Sequence, residues 1–251
     1  MIDLREASHA ELPAAAQLLA RGMCDDPMHR TVFGADADHR RLRLLRLFAA
    51  LLPLMGRPPL LAWDAGRLVG VLGQFPPGTC HTPFRLQLRF AFALRSVNLV
   101  ELWRLWRWLG ASEARDLAEP HWHLGPVAVD PGRRGEGIGS QMLRAFCVRM
   151  DERGEVAFLE TDKLESVRFY ARCGFEVRDQ EEVLGTPNWW MRRPARAACP
   201  RGDTPRSLRG RGVVSLPGSR CLRGRGASRS AHLMSAGSEE RLLGKGKAPG
   251  M

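Results

Sequence analysis

Residues 122–152 read WHLGPVAV (Trp122–Val129), DPGRRGEGIG (Asp130–Gly139) and SQMLRAFCVRMDE (Ser140–Glu152). The first segment alternates and is rich in β-formers, and the second is dominated by glycine and arginine. Across the loop end and the third segment, Ile138, Met142, Leu143, Phe146 and Met150 fall at helical spacing. The unit is strand, glycine-rich loop, helix. Successive backbone N–H groups in a tight glycine turn form a concave anion nest, and the helix start adds its own unpaired N–H groups and positive dipole end. Gly137 and Gly139 carry no Cβ, so a phosphate can approach the backbone closely. Arg133 and Arg134 add charge of the kind that grips phosphate oxygens through two N–H groups. Read alone, the loop equally fits a plain strand-to-helix turn with convenient glycines. Two phosphate-loop patterns are excluded. Ser140 follows Gly139 with no intervening Lys, against the P-loop pattern. Gly135-Glu136-Gly137-Ile138-Gly139 also lacks the Gly-x-Gly-x-x-Gly spacing of a dinucleotide turn.

Downstream, Val156–Glu160 reads as a strand, Thr161-Asp162-Lys163 as a turn, and Leu164–Arg172 as a short helix closed by Gly174. Phe175–Arg178 restarts as a strand, and Asn188–Arg192 ends the domain. Upstream, Ile2–Ala7 is a strand candidate, and Ser8-His9-Ala10-Glu11 fits a capping box ahead of a helix over Leu12–Arg21. Asp38–Met55 is a second helix, broken near Pro53. Leu60–Trp63, Asp64-Ala65-Gly66 and Leu68–Phe75 read as a hairpin. Residues 84–109 show helical spacing, with Trp103, Trp106 and Trp108 interleaved with arginine. Three readings of that stripe stay open: a base-stacking surface, a core face backed by a solvated one, or a wall of an acceptor pocket.

From about Pro194 the composition changes to Gly, Pro, Ser and Arg, with Arg-Gly-Arg-Gly at 209–212 and again at 223–226. Such a segment buries too little surface to offset its ordering entropy, so disorder is expected over 194–251. The net charge of +11 belongs to this end of the chain. Residues 1–191 hold 24 basic and 24 acidic residues, which balance. Only three of the 38 basic residues are lysine, a bias that suits GC-rich coding better than phosphate binding. A nucleic-acid partner is therefore not expected, and a tail that binds nucleic acid is retained only as an alternative. No apolar run reaches the length needed to span a bilayer, and the charged start Met1–Glu6 lacks a signal-peptide core. The protein is expected to be cytoplasmic, without a membrane partner. The six cysteines, at 24, 80, 147, 173, 199 and 221, form no Cys-x-x-Cys pair. They read as free thiols, and no metal is expected.

Taken together, these segments resemble the GNAT (GCN5-related N-acetyltransferase) superfamily. Arg134-Gly135-Glu136-Gly137-Ile138-Gly139 fits its (Gln/Arg)-x-x-Gly-x-(Gly/Ala) pyrophosphate motif, and Val127-Ala128-Val129-Asp130-Pro131 matches the strand before it. Ser166-Val167-Arg168-Phe169-Tyr170-Ala171-Arg172-Cys173-Gly174-Phe175 is similar to the family's later helix. Ala157-Phe158-Leu159-Glu160-Thr161 resembles the subgroup containing puromycin N-acetyltransferase. The likeness is carried by residues 120–193 and absent from the tail.

The resemblance implies an α/β (α+β) fold with a central, mixed, mostly antiparallel sheet of six or seven strands. The sheet would be splayed at the cofactor site and flanked by helices, over residues 1–193, with the acetyl-CoA core at 120–180. It implies acetyl-CoA as donor, a small-molecule amine as acceptor, and a monomer or homodimer. The backbone of Val127, Ala128 and Val129 would hold the acetyl and pantetheine groups. Arg133, Arg134, Gly135, Glu136, Gly137, Ile138, Gly139 and Ser140 would hold the pyrophosphate, with Ser166 and Phe169 on the cofactor arm. Ser166 stands where the family usually has Asn; it can still donate a hydrogen bond but reaches less far. Tyr170, the sole tyrosine in a chain that uses Phe and Trp freely, is the expected general acid. Its alternative is a ring packed on the core with its tip in water. Glu160 is the candidate base, with Glu101, the pair His121 and His123 on one strand face, or a water chain as the other options. A non-catalytic acetyl-CoA-binding module on the same fold is the competing reading.

Overall fold

The structure, a computed structural model, describes residues 1–79 and 97–196. The helical reading of 84–96, the cysteines at 80, 199 and 221, and the tail beyond 196 lie outside the described residues. Seven strands form one sheet: β1 (Asp3–Glu6), β2 (Leu60–Asp64), β3 (Arg67–Phe75), β4 (His121–Val129), β5 (Val156–Thr161), β6 (Glu176–Val183) and β7 (Thr186–Arg193). Their order is β1-β2-β3-β4-β5-β7-β6. All neighbours are antiparallel except β4 and β5. This is the mixed, mostly antiparallel sheet expected from the sequence.

The hairpin of β2 and β3 turns through Ala65 and Gly66, both with positive φ (47° and 77°), the backbone of a tight two-residue turn. The last hairpin turns the same way through Leu184 and Gly185 (φ 55° and 75°). Its strands run longer than the sequence reading, which stopped at Arg178 and resumed at Asn188. The reason is that β6 is an edge strand with almost every residue exposed. Polar side chains on both of its faces erase the period-two signal. Pairing with β7, where Trp190 and Met191 are buried, supplies the order.

Helices cover both faces. On one lie α1 (Leu12–Gly22), α2 (Pro27–Phe33), α3 (Ala37–Leu51) and α4 (Leu99–Glu113). Their apolar sides close over Leu61, Val71, Ala128, Phe158 and Trp190. On the other lie α5 (Ile138–Arg153) and α6 (Leu164–Ala171), packed against Ala62, Val69, Leu72, Trp122 and Leu124. All five apolar residues read as the core face of α5 are buried. Full burial of each large one is worth about 1.5–3 kcal/mol. Helix α2 escaped the sequence reading because it is short, although Asp26-Pro27 is a recognisable helix start with Pro in the first turn.

The helix read over 84–109 is bounded differently. Asn98 caps α4 and forms a capping box with Glu101, so the helix begins at Leu99 and runs on to Glu113. Leu105 and Trp108 face the core, while Trp103 and Trp106 are exposed. Glu101 is buried and bonded to His39 Nε2 (2.5 Å), with Arg43 at 3.3 Å. It clamps α3 to α4.

The sheet divides near its middle. β4 and β5 pair only over His121–His123 and Val156–Phe158, after which β4 runs on to Val129 and β5 to Thr161 without pairing to each other. On its other edge β4 follows β3 through a register shift between Leu72 and Gln74. There the backbones nearly touch: a Cβ on Gly73 would lie 2.4 Å from Gly125 O. The parallel pair thus opens into a V whose arms end at Val129 and Thr161.

Candidate active site

The V exposes backbone donors. Asp130 N–H donates to Val69 O at 2.9 Å, which fixes the alternation along the β3–β4 ladder. Ala128, opposite Val71, turns its N–H toward β3, while the N–H groups of Val127 and Val129 turn to the other edge, into the gap. Gly22, at the end of α1, allows close packing behind this segment: a Cβ there would sit 2.7 Å from Ala128 Cβ.

The loop after β4 starts as a turn in which Asp130 Oδ1 accepts from Gly132 N–H at 3.0 Å. Gly135 and Gly137 take φ of 86° and 78°, so both need glycine for backbone reasons, and a Cβ at either would meet no protein atom within 4 Å. At Gly139 a Cβ would make only ordinary contacts, 3.4 Å from Val129 Cγ2 and 3.6 Å from Phe169 Cζ. The backbone itself requires glycine at 135 and 137, a constraint that the sequence reading did not identify at 135. Gly137 is the N-cap of α5, and Gln141 N–H is the first to find a helical acceptor, Gly137 O at 3.0 Å. The N–H groups of Ile138, Gly139 and Ser140 precede that first bond and are the orphan donors of the helix start. They lie at the mouth of the V, next to Val129.

The two arginines part company. Arg133, expected to add positive charge for a phosphate, is held by Glu136 (2.6 Å) and Asp64 (2.9 Å). These partners raise its pKa and lower their own, so its charge is neutralised locally. Arg134 reaches back to donate to Gly22 O and fastens the loop to the end of α1. Neither arginine is left as a free charge in the loop, whose open donors are backbone N–H groups.

Ser166 and Phe169 lie on α6. Ser166 sits in its first turn, with its N–H bonded to Lys163 O at 3.0 Å. The Phe169 ring fills the space between α6 and Gly139. Tyr170 is half-buried, edge-on to Phe169 and Phe175, with centroids 5.1 and 5.9 Å away. Burial, then the carboxylates of Asp26 and Asp162, push its phenol above the ordinary range, so it stays protonated at neutral pH. Those carboxylates were missed in the sequence. Asp26 accepts from Lys163 Nζ at 2.7 Å, and Asp162 Oδ2 accepts from Met28 N–H at 2.6 Å. The two bonds run in opposite directions and tie the α1–α2 loop to the β5–α6 turn. Burial raises the Asp26 pKa, opposed by Lys163.

Glu160 and His123 flank the point where β4 and β5 diverge. His123 Nε2 lies 3.5 Å from Glu160 Oε2, and that oxygen is buried with no hydrogen-bond partner. His121, two residues back on the same strand face, is bound to Asp116 and to the carbonyl of Glu119.

A model of the acetyltransferase (GNAT) family matches residues 36–175. Among solved structures, one described as histone acetyltransferase HPA2 and related acetyltransferase, from Corynebacterium glutamicum, is 21% identical. It covers 77% of this chain and 96% of its own, with a TM-score of 0.59. The polyamine N-acetyltransferase of Drosophila melanogaster is 17% identical, over 77% of this chain and 100% of its own, with a TM-score of 0.52. An agmatine N-acetyltransferase in its apo form is 17% identical, over 76% of this chain and 98% of its own, at 0.51. At these identities the likeness is one of fold.

Proposed function

Because the chain belongs to the GNAT acetyltransferase family, we propose that it transfers an acetyl group from acetyl-CoA to a primary amine of a small molecule. The observation that carries this reading is two sets of backbone donors that the sheet and helix ladders leave open. They are those of Val127 and Val129 in the open V and those of Ile138, Gly139 and Ser140 at the start of α5. A pyrophosphate fits the helix end, where Gly135 and Gly137 leave room and the dipole favours negative charge. A pantetheine arm is itself an extended amide chain and fits the free edge of β4 as a strand would.

The thioester of the donor supplies an activated acyl carbon. The amine nitrogen attacks that carbon, the C–N bond forms, and the C–S bond breaks. The chain's residues prepare both ends of this exchange. The amine must arrive neutral, and Glu160 is the base we assign, with His123 at 3.5 Å to pass the proton on. Tyr170 keeps its proton at neutral pH and delivers it to the departing sulfur. Backbone N–H groups of β4 polarise the carbonyl, a contribution that needs no reorganisation during reaction.

Residues 1–193 would carry the activity in the cytoplasm, with 194–251 dispensable. The acceptor class, a primary amine, is supported by the family and by the folds that the chain resembles. The polyamine and agmatine enzymes of similar fold act on such compounds. Amine-bearing antibiotics and aminonucleosides belong to the same class. The test is release of free thiol from acetyl-CoA with a panel of primary amines. Release with at least one amine, lowered in Glu160→Gln, supports the reading. Binding of CoA with no release for any amine leaves only a binding module.

A further inference from the structure

We infer that Asp116, His121 and His123 form a binding site for a divalent transition-metal ion of the zinc type, which shares His123 with the proposed proton path, so that a bound metal would take that residue out of it. One ligand atom from each of the three lies within 4.8 Å of the others. Around a bound zinc at about 2.0–2.2 Å from each donor, ligand atoms stand about 3.3–3.5 Å apart, so closure needs only small side-chain rotations.

The orientation of His121 makes the arrangement more than a coincidence of residue types. Its Nδ1 lies 2.9 Å from Glu119 O, an acceptor with no proton to give, so Nδ1 carries the hydrogen. Its Nε2 faces Asp116 Oδ1, also at 2.9 Å. With Nδ1 committed to the backbone carbonyl, Nε2 is the ring atom that faces the carboxylate and His123. An imidazole anchored through its far N–H to a backbone carbonyl is the usual support of a metal-binding histidine.

His123 adds the third donor from the same face of β4. Both rings stand edge-on to Phe158, with centroids at 5.5 and 5.9 Å, and His123 is also edge-on to Phe75 at 6.1 Å. These contacts hold the rings in an apolar shell. Two imidazoles and one carboxylate select Zn²⁺, Co²⁺, Ni²⁺ or Cu²⁺ over Mg²⁺ and Ca²⁺, which prefer all-oxygen cages.

The test uses the full chain after chelator treatment, titrated with Zn²⁺ by calorimetry and with Co²⁺ by visible absorption. The expected result is one equivalent bound, with no thiolate-to-cobalt charge-transfer band. Asp116→Asn and His123→Gln, both at half-buried positions, are each expected to weaken binding by about tenfold or more. Zn²⁺ should also raise the melting temperature of the wild type more than that of either variant. No binding at millimolar metal, a thiolate band, or affinity unchanged in both variants would overturn the inference and leave a proton as the only cation in the cluster. None of these readouts depends on acetyl transfer, so the two readings fail separately.

Discussion

Gly137 and Gly154 are the two ends of α5, and both are left-handed, with φ of 78° and 62°. Neither would gain a clash from a Cβ: the nearest atom is beyond 4 Å at Gly137 and is Arg196 O at 4.0 Å at Gly154. Alanine at either position therefore carries the same backbone penalty, about 1–2 kcal/mol. In a chain of this size each kilocalorie lowers the melting temperature by roughly 2–4 °C. The two variants differ only in what their methyl groups face. At Gly137 it stands at the N-terminal end, next in sequence to the Ile138, Gly139 and Ser140 N–H groups; at Gly154 it lies at the far end of the helix. Losing one hydrogen bond to a charged phosphate costs about 1.5–3 kcal/mol. Because 1.4 kcal/mol is tenfold, CoA should bind roughly 10–100-fold more weakly to Gly137→Ala. Gly154→Ala should match its thermal loss and keep wild-type affinity. Calorimetric titration with CoA, paired with thermal denaturation, reads both. Equal affinity loss in the two variants, or none in Gly137→Ala, would refute the assignment of the pyrophosphate to this helix end.

Tyr170→Phe is expected to lower kcat by about 10²-fold while leaving the acetyl-CoA KM near wild type; unchanged kcat in thiol release would remove the phenol from the mechanism. Gly73→Ala should destabilise the fold by about 3 kcal/mol or more, because its Cβ would meet the backbone oxygen of Gly125 at 2.4 Å and cannot be accommodated by a side-chain rotation. A urea midpoint within error of wild type contradicts that. The carboxyl of Glu11 is held at about 2, against an ordinary 4.5, first by Arg5 and then by Ser8. A lowered acid pKa contributes stability above 4.5 that is lost as pH falls toward 2. Urea midpoints of wild type and Glu11→Gln should converge across that window; a gap that does not narrow would show that the Arg5 and Ser8 bonds to this carboxylate are not the source.

Much of this architecture is legible in the sequence because local and tertiary signals agree. The α5 face keeps a helical period that burial enforces, and the Asp64–Gly66 turn forms where it was read, whereas β4 switches faces between Leu124 and Ala128, beside the register shift on β3. The Ser8–Glu11 capping box likewise forms as read. Legibility fails where order is supplied from elsewhere. β6 is mostly polar and is ordered by β7, and Leu184 turns the hairpin without the usual Asn-Gly signature. At the site, glycine spacing marked the anion nest but could not tell that Arg133 is consumed by Asp64, 69 residues away. Nor could it bring Asp26 to Lys163, or Asp116 to His121, since both contacts are made by the fold across turns with no pattern of their own. Glu101 looked chemical because it is an acid on an apolar helix, and the same feature made it a buried clamp to His39 and Arg43.

A crystal structure of the full chain with CoA tests the central claim most directly. The expected result places the pyrophosphate on the N–H groups of Ile138, Gly139 and Ser140, with the pantetheine arm running along Val127–Val129 toward Glu160 and Tyr170. CoA bound elsewhere, or a β4 edge closed by pairing with β5 beyond His123, would contradict it.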